Sequence, residues 1–171
     1  MSFIMSIDPG IRGTGVGLFS RSELVASNWV KNPETSGQGP WQCFTMSKHV
    51  LNWFKTFWDR QLEELVLEWP QVYPTSKGDP NDLFGLAGVG AALTALLMAE
   101  GHPIKVTYYK PREWKGQLEK DVMGDRVKGR LSSLELSQVP DFGGLTHNIL
   151  DAVGIGLHHI GRLKPKKVFP R

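Results

Sequence analysis

Three acidic residues stand where predicted strands end or where a predicted helix begins. Asp8 follows the apolar run 3–7 and precedes a Pro-Gly turn, Glu68 closes the apolar run 65–67, and Asp151 lies in the predicted last helix. A carboxylate at the end of a buried strand costs free energy unless it is paired or binds a cation. If the strands that end at Asp8 and Glu68 are neighbours, both acids emerge at the same edge of one sheet.

Each acid also has a structural explanation when it is taken alone. Asp8 begins an Asp-Pro-Gly sequence, which is ordinary turn chemistry. Glu68 could pair with a basic residue such as Arg12, and Asp151 or His147 could cap the last helix. All three acids in this arrangement are harder to explain in that way, and together they favour a shared site.

The last predicted helix adds two further candidate ligands. His147 and Asn148 lie within one helical turn of Asp151 and share a face with it. Acids grouped with a histidine suit hard divalent cations such as Mg²⁺ or Mn²⁺, which take oxygen ligands. Two such ions about 4 Å apart would clamp the attacking water and the leaving oxygen of a phosphodiester.

Basic residues are concentrated in the second half of the chain, although the net charge is only +3. They cluster over residues 105–130 and again in the tail 164–171, and the first cluster contains Tyr108, Tyr109 and Trp114. Basic residues with interleaved aromatics suit a phosphate backbone with exposed bases. A solvated basic face without a partner is the alternative.

The elements that must position these residues follow an α/β pattern. The order is three strands, helix, strand, helix, strand, helix, which predicts a mixed sheet, antiparallel first and parallel later. Helices are expected over 45–60, with Ser47 as a cap, and over 82–100, 126–134 and 146–163. The glycines between residues 10 and 17 are expected to leave the backbone open to a bulky anion. We predict one domain over residues 1–163 and a loosely ordered basic tail over 164–171.

Composition excludes several classes of protein. The expectation from the sequence is that no segment approaches the ~18 apolar residues of a membrane span and that no signal peptide is present. Cys43 is the single cysteine, which excludes an intrachain disulfide and a cysteine-built zinc site. These features predict a cytoplasmic protein without a membrane partner, and the compact length would suit a bacterial or phage-infected cell.

The motifs resemble the RuvC family of Holliday junction resolvases, within the RNase H-like superfamily. The matching pieces span roughly residues 3–163 and are Ile7-Asp8-Pro9-Gly10, Thr14-Gly15, Glu68 after an apolar strand, the small-residue helix 82–100 and Asp151-Ala152. The resemblance implies a five-stranded mixed sheet flanked by α-helices. It also implies a homodimer that makes Mg²⁺-dependent, symmetric nicks in four-way DNA junctions, with Mn²⁺ as a substitute metal.

By the same resemblance, Asp8, Glu68 and Asp151 correspond to the family's three core metal-binding acids. The family has an Asp or a His three residues before the last acid, and here that position is Asn148, with His147 one residue earlier. We favour His147 as the fourth residue, because an imidazole binds metal or carries a proton and an amide is only a weak oxygen donor. Asn148 stays open as the alternative.

The resemblance also carries a DNA-binding and a dimerisation prediction. Lys115 resembles the family's basic residue near the scissile phosphate, Lys120 less securely so, and Tyr73 lies near a family aromatic that contacts bases. The predicted DNA-binding residues are Arg12, Tyr73, Lys77, Lys110, Arg112, Lys115 and Lys120. The predicted dimer face comprises Gly85, Gly88, Ala92 and Ala95.

Two rival functions remain open at this point. One is an RNase H-like nuclease that acts on other branched DNA or on RNA–DNA hybrids, since it needs the same acids. The other is a non-catalytic protein that binds junctions through the basic surface.

Overall fold

A computed structural model describes residues 2–33, 39–57, 61–71, 80–102, 104–116, 118 and 120–163. Five strands form one sheet in the order β3-β2-β1-β4-β5. They are β1 Ser2–Asp8, β2 Gly13–Ser20, β3 Glu23–Lys31, β4 Gln61–Glu68 and β5 Lys105–Tyr109. The pairs β1–β2 and β2–β3 are antiparallel, and β1–β4 and β4–β5 are parallel. The predicted mixed sheet, antiparallel first and parallel later, is confirmed.

Helices cover both faces of the sheet. They are α1 Pro40–Lys55, α2 Pro80–Ala99, α3 Pro111–Trp114, α4 Lys120–Lys128, α5 Ser133–Leu136 and α6 Thr146–His159. The side chains of β1 alternate between the faces, as strand geometry requires. Phe3, Met5 and Ile7 join the core that includes α1 and α2, and Ile4 packs against the core that includes α6. The same alternation puts Asp8 on the α6 side of the sheet.

All four predicted helices differ in bounds from those expected: α2 spans Pro80–Ala99 rather than 82–100, α6 ends at His159 rather than at residue 163, and the other two differ more. α1 begins at Pro40 rather than at residue 45, and Ser47 is buried inside it rather than at its cap. The Ser47 hydroxyl lies 2.8 Å from the Cys43 carbonyl and 2.9 Å from the Val89 carbonyl of α2, so it joins two helices. The expected helix 126–134 is split, because α4 ends at Lys128 and α5 starts at Ser133.

The glycines of the first hairpin face the chain itself, which corrects the expectation that they are open to an anion. A Cβ at Gly15 would overlap the carbonyl oxygen of Asn148, at the start of α6. A Cβ at Gly13 would overlap the ring of Trp29. The missing side chains therefore let α6 and β3 pack closely against β2.

Helix α2 combines a packed face with an exposed apolar face. Val89, Leu93 and Leu97 are fully buried, whereas Phe84 is 76% and Met98 62% exposed. The window Asp82–Ala99 has a mean hydropathy of 1.8 with 22% of it buried, so by length and composition it could cross a membrane. The expectation that no segment approaches this length was wrong, although a core helix can pass the same test.

Candidate active site

The parallel pairing of β1 and β4 brings two of the acids to one edge of the sheet. Ile7 is paired in register with Leu67, so the next residues, Asp8 and Glu68, end their strands side by side. Both strands run in the same direction, and their carboxyl ends therefore share this edge. The prediction that the strands ending at Asp8 and Glu68 are neighbours is confirmed.

The start of α6 is held over the same edge by the first hairpin. Gly15 is opposite Asp8 in the β1–β2 ladder, and it contacts the backbone of Asn148. Asp151 lies one turn further along α6, with 17% of its side chain exposed. A side chain at position 15 would displace α6, so the glycine sets the distance between Asp8 and Asp151.

The side chain of Lys115 lies among the three acids. Its Nζ is 3.4 Å from Glu68 Oε2 and 3.9 Å from Asp151 Oδ2. Burial acts to lower the pKa of Lys115, but the charges of Glu68, Asp151 and Asp8 outweigh it and raise that pKa above its usual value. One ammonium group therefore experiences the field of all three carboxylates.

Glu68 is held by a second donor, the indole of Trp114. Trp114 Nε1–H donates to Glu68 Oε2 at 2.7 Å. Burial raises the pKa of Glu68 above its usual value and Asp151 adds to the rise, while Lys115 and Trp114 act in the opposite direction without cancelling it. Gly154 of α6 makes this contact possible, because a Cβ there would lie 2.7 Å from the Trp114 ring.

The three acids are the main donors available to the divalent cation that the sequence implies. Within the described ranges, no three His, Cys, Asp or Glu side chains are grouped closely enough to hold a metal ion as they stand. The carboxylates nevertheless surround a cation already, the Lys115 ammonium, and together they raise its pKa. In charge and in donor type the residues fit a hard divalent cation, provided that Lys115 moves aside.

His147 and Asn148 lie beside Asp151 in a cleft of about 320 Å³. The cleft is also lined by Lys115, Leu118 and Met123. His147 Nδ1 is 2.6 Å from the Gly144 carbonyl, which only accepts, so Nδ1 carries the hydrogen. The Nε2 atom of neutral His147 is then left with the lone pair that could take a proton or bind a cation.

Comparison with solved structures identifies the architecture. RuvC of Thermus thermophilus matches 92% of the chain and 92% of its own length, with 20% identity and a TM-score of 0.65. The same protein in complex with a Holliday junction substrate matches 93% of the chain and 92% of its own length, with 21% identity and a TM-score of 0.67. The chain has a RuvC-like fold.

A second resolvase has the same fold at lower identity. The yeast mitochondrial Holliday junction resolvase Ydc2 is 14% identical, with a TM-score of 0.60, over 94% of the chain and 79% of its own length. No protein-family model matches the sequence, and no curated protein matches it with significance. The RuvC-like fold is therefore established by shape rather than by sequence similarity.

The predicted DNA-binding residues occupy different parts of this RuvC-like fold. Lys115 is in the site, and Lys110 and Arg112 are exposed where β5 leads into α3. Arg12 is exposed in the first hairpin, and the ion pair of Glu68 is with Lys115 instead. Tyr73, Lys77 and the side chain of Lys120 lie outside the described residues, as does the tail 164–171.

The predicted dimer residues divide between two environments. Gly85 and Gly88 face the chain itself, because a Cβ at these positions would overlap Ile11 or press on Cys43 Sγ at 2.8 Å. Ala92 is half-buried beside them, and Ala95 is exposed. The exposed face of α2 is carried by Phe84, Ala91, Ala95 and Met98.

Sequence reasoning missed several residues around the site. The sequence presents Trp114 only as an aromatic among basic residues, whereas in the structure its indole donates a hydrogen bond to Glu68. Its position directly before Lys115 is the one signal in the sequence, since a single short helix then presents both donors. Leu118 and Met123, which line the cleft, carry no comparable signal.

Proposed function

We propose that this protein is a metal-dependent endonuclease that resolves four-way (Holliday) DNA junctions by paired, symmetric nicks. The observation that carries the proposal is the convergence of Asp8, Glu68 and Asp151, from two strands and a helix, on one cation at the edge of a RuvC-like sheet. Three buried or half-buried acids around a single ammonium carry an excess of negative charge. Such an excess is costly in a purely structural site and useful in a cation site.

Each residue of the site has a distinct role in this proposal. Asp8, Glu68 and Asp151 would hold Mg²⁺, or Mn²⁺ in its place, with His147 or Asn148 as the fourth residue, and two ions per site are proposed. When bound, the metal supplies Lewis-acid stabilisation of the phosphoryl oxygens and activation of water. Lys115, displaced from the acids, offsets negative charge on the phosphate, and His147 Nε2 exchanges a proton with solvent.

Paired nicks across a junction require two sites, and we propose a homodimer formed through the exposed face of α2. The apolar side chains Phe84 and Met98, separated by the small residues Ala91 and Ala95, support this face over the more inward Gly85 and Gly88. We also propose a cytoplasmic location, as the sequence predicts.

A second candidate function is a non-catalytic junction-binding protein on the same fold. The position of Lys115 favours it, because an ammonium that permanently neutralised the acids would leave no place for a metal ion. The two candidates differ in whether Mg²⁺ displaces the lysine.

The test is cleavage of a synthetic labelled four-way junction, in Mg²⁺ and in EDTA, by the wild type and by Asp8→Asn. We expect symmetric paired nicks that require the metal and disappear in the variant, from a protein that elutes as a dimer. Tight binding without product in Mg²⁺ or Mn²⁺ would overturn the proposal and support the binding protein. Cleavage of flaps or RNA–DNA hybrids in preference to junctions would support the other nuclease.

A further inference from the structure

The segment that leads into α6 forms a tight turn next to His147. Residues Gly143–Leu145 make one turn of 3₁₀ helix, and the Gly144 carbonyl accepts the hydrogen of His147 Nδ1 at 2.6 Å. Gly143 has a φ of 58°, a left-handed conformation that favours glycine. The orientation of the imidazole therefore depends on how this turn is held.

The carboxylate of Asp141 joins the two ends of the turn. Asp141 Oδ1 accepts the backbone N–H of Gly143 at 2.8 Å and the Thr146 hydroxyl at 3.0 Å. The Thr146 hydroxyl oxygen in turn accepts the Phe142 N–H at 2.8 Å. These bonds lower the pKa of Asp141 below its usual value, with the Gly143 N–H as the largest cause, so the acceptor stays ionised. One carboxylate therefore fixes the residues on either side of the Gly144 carbonyl.

The turn is anchored to the sheet through an aromatic contact. Phe142 lies against Trp29 of β3, with ring centroids 6.2 Å apart. The Trp29 ring occupies the space that a side chain at Gly13 would fill, at the start of β2. The turn is therefore located relative to the β1–β2 hairpin, which carries Asp8.

We propose that Asp141, acting through Thr146 and the turn, is a positioning residue that holds His147 as the Nδ1–H tautomer. The inference rests on the proposed function, in which the Nε2 lone pair of His147 is used in the cleft. The tautomer of a histidine is set by the hydrogen bond that its other ring nitrogen makes, and such a partner also orients the ring. Without it, the hydrogen is free to move to Nε2, where it blocks the lone pair. The acceptor at Gly144 is a backbone atom that no substitution removes, so the side chains that control it are those of Asp141 and Thr146.

The test observes the His147 ring directly, by long-range ¹H–¹⁵N NMR of the protein in EDTA at about pH 8.5, where an ordinary imidazole is neutral. The signal is assigned by its absence in His147→Gln. We expect the Nδ1–H tautomer in the wild type and a shift toward the Nε2–H tautomer in Asp141→Ala and Thr146→Val. Asp141→Asn and Thr146→Ser keep the acceptor oxygen and the hydroxyl, so they should retain the wild-type tautomer. Asp125→Ala, at an exposed acid of α4, is the matched control.

Junction cleavage in Mg²⁺ gives a second readout. Asp141→Ala should lower kcat about tenfold with KM unchanged, because it acts on a group of the site and not on DNA binding.

The outcomes separate this inference from the proposed function. A wild type in the Nε2–H form, or an Asp141→Ala variant that keeps the Nδ1–H form, would overturn the inference even if the protein resolves junctions. Asp141 is exposed, so its replacement leaves the core intact and this variant decides even if Thr146→Val fails to fold. An equal shift in Asp125→Ala would contradict the assignment to Asp141. A tautomer that depends on Asp141 in a protein that never cleaves would support the positioning and overturn the nuclease.

Discussion

Two glutamates of β4, Glu64 and Glu68, face the same side of the sheet, but their pKa values are shifted in opposite directions. Glu64 has three partners: Thr107 Oγ1 donates at 2.6 Å, Lys105 Nζ lies at 3.0 Å and His159 Nε2 at 3.1 Å. Burial acts to raise the pKa of Glu64, yet Thr107, Lys105 and His159 lower it below its usual value. For Glu68 burial prevails and the pKa is raised, although a lysine and an indole contact it.

The difference lies in the charged and hydrogen-bonding groups that surround each glutamate. Glu64 has three donors, two from β5 and one from α6, and no acid among the groups that shift its pKa, whereas Asp151 acts on Glu68 and shares Lys115 with it. The fold therefore compensates the charge of Glu64 fully, whereas it leaves the charge of Glu68 only partly compensated. Groups with a pKa perturbed by burial and a specific charge partner cluster at functional sites.

The largest expected effect separates the two glutamates by activity. Glu68→Gln should reduce junction cleavage in Mg²⁺ by about 10²- to 10³-fold, because it removes one of the negative charges that would hold the metal ion and so weakens the stabilisation that the ion gives the phosphate. Glu64→Gln is the matched control and should stay close to wild type, since Glu64 is held by Thr107, Lys105 and His159 and not by Lys115 or Trp114. Single-turnover cleavage rates measure both. Equal losses in the two variants would show that the comparison reports packing rather than chemistry.

Glu135 is a further acid whose charged form is stabilised by several donors, as that of Glu64 is. Arg162 binds both of its carboxylate oxygens, and the backbone N–H groups of Leu24 and Ser132 donate to it at 2.9 Å and 2.8 Å. Hydrogen bonds from Arg162 are the main reason that the pKa of Glu135 falls to about 2. Glu135 is only 5% exposed, and like Glu64 it has a lowered pKa despite its burial.

We expect Glu135→Gln to lower the free energy of unfolding by about 3 kcal/mol at pH 7. A depressed pKa gives stability that is present above the ordinary pKa of 4.5 and is lost as the pH falls toward about 2. Urea unfolding between pH 7 and pH 2.5 should therefore show the two proteins converging in acid. A difference that stays constant with pH would contradict the assignment to the charged pair.

A smaller effect separates Glu64 from Glu68 by stability. Glu64→Gln should lower the free energy of unfolding by about 1–2 kcal/mol at pH 7, through weakened charged hydrogen bonds. The loss should shrink below the ordinary pKa, because a lowered pKa stabilises only above it. Glu68→Gln should be neutral or stabilising at pH 7, since a raised pKa means that the charged form costs stability. Thermal unfolding of both variants at pH 7 and pH 4 measures the signs, and destabilisation by Glu68→Gln would break the comparison.

The sequence predicted the acids better than it predicted what surrounds them. Asp8, Glu68 and Asp151 are readable because each interrupts a local apolar pattern, and the sheet follows from strand periodicity. The link between Trp114 and Glu68 spans 46 residues, and it depends on the absence of a side chain at Gly154. The glycines at 15, 85 and 88 are likewise explained only by what they touch. Such contacts are decided by packing between distant segments, on which local spacing carries no information.

The smallest expected effect tests whether the Trp114 hydrogen bond helps to keep the Glu68 carboxyl group ionised. Trp114→Phe retains a ring against Gly154 but removes the donor 2.7 Å from Glu68, so the pKa of Glu68 should rise further. We expect about a tenfold loss of cleavage at pH 7, as is typical when a residue that hydrogen-bonds a metal-binding side chain is replaced. The loss should diminish as the pH is raised, because a higher pH favours the ionised form of the Glu68 carboxyl group. Trp41→Phe, at an exposed tryptophan of α1, controls for the change of residue type. A pH-independent loss would instead mean that Trp114 acts by positioning Lys115, the next residue. In that case Lys115 alone would stabilise the ionised form of Glu68.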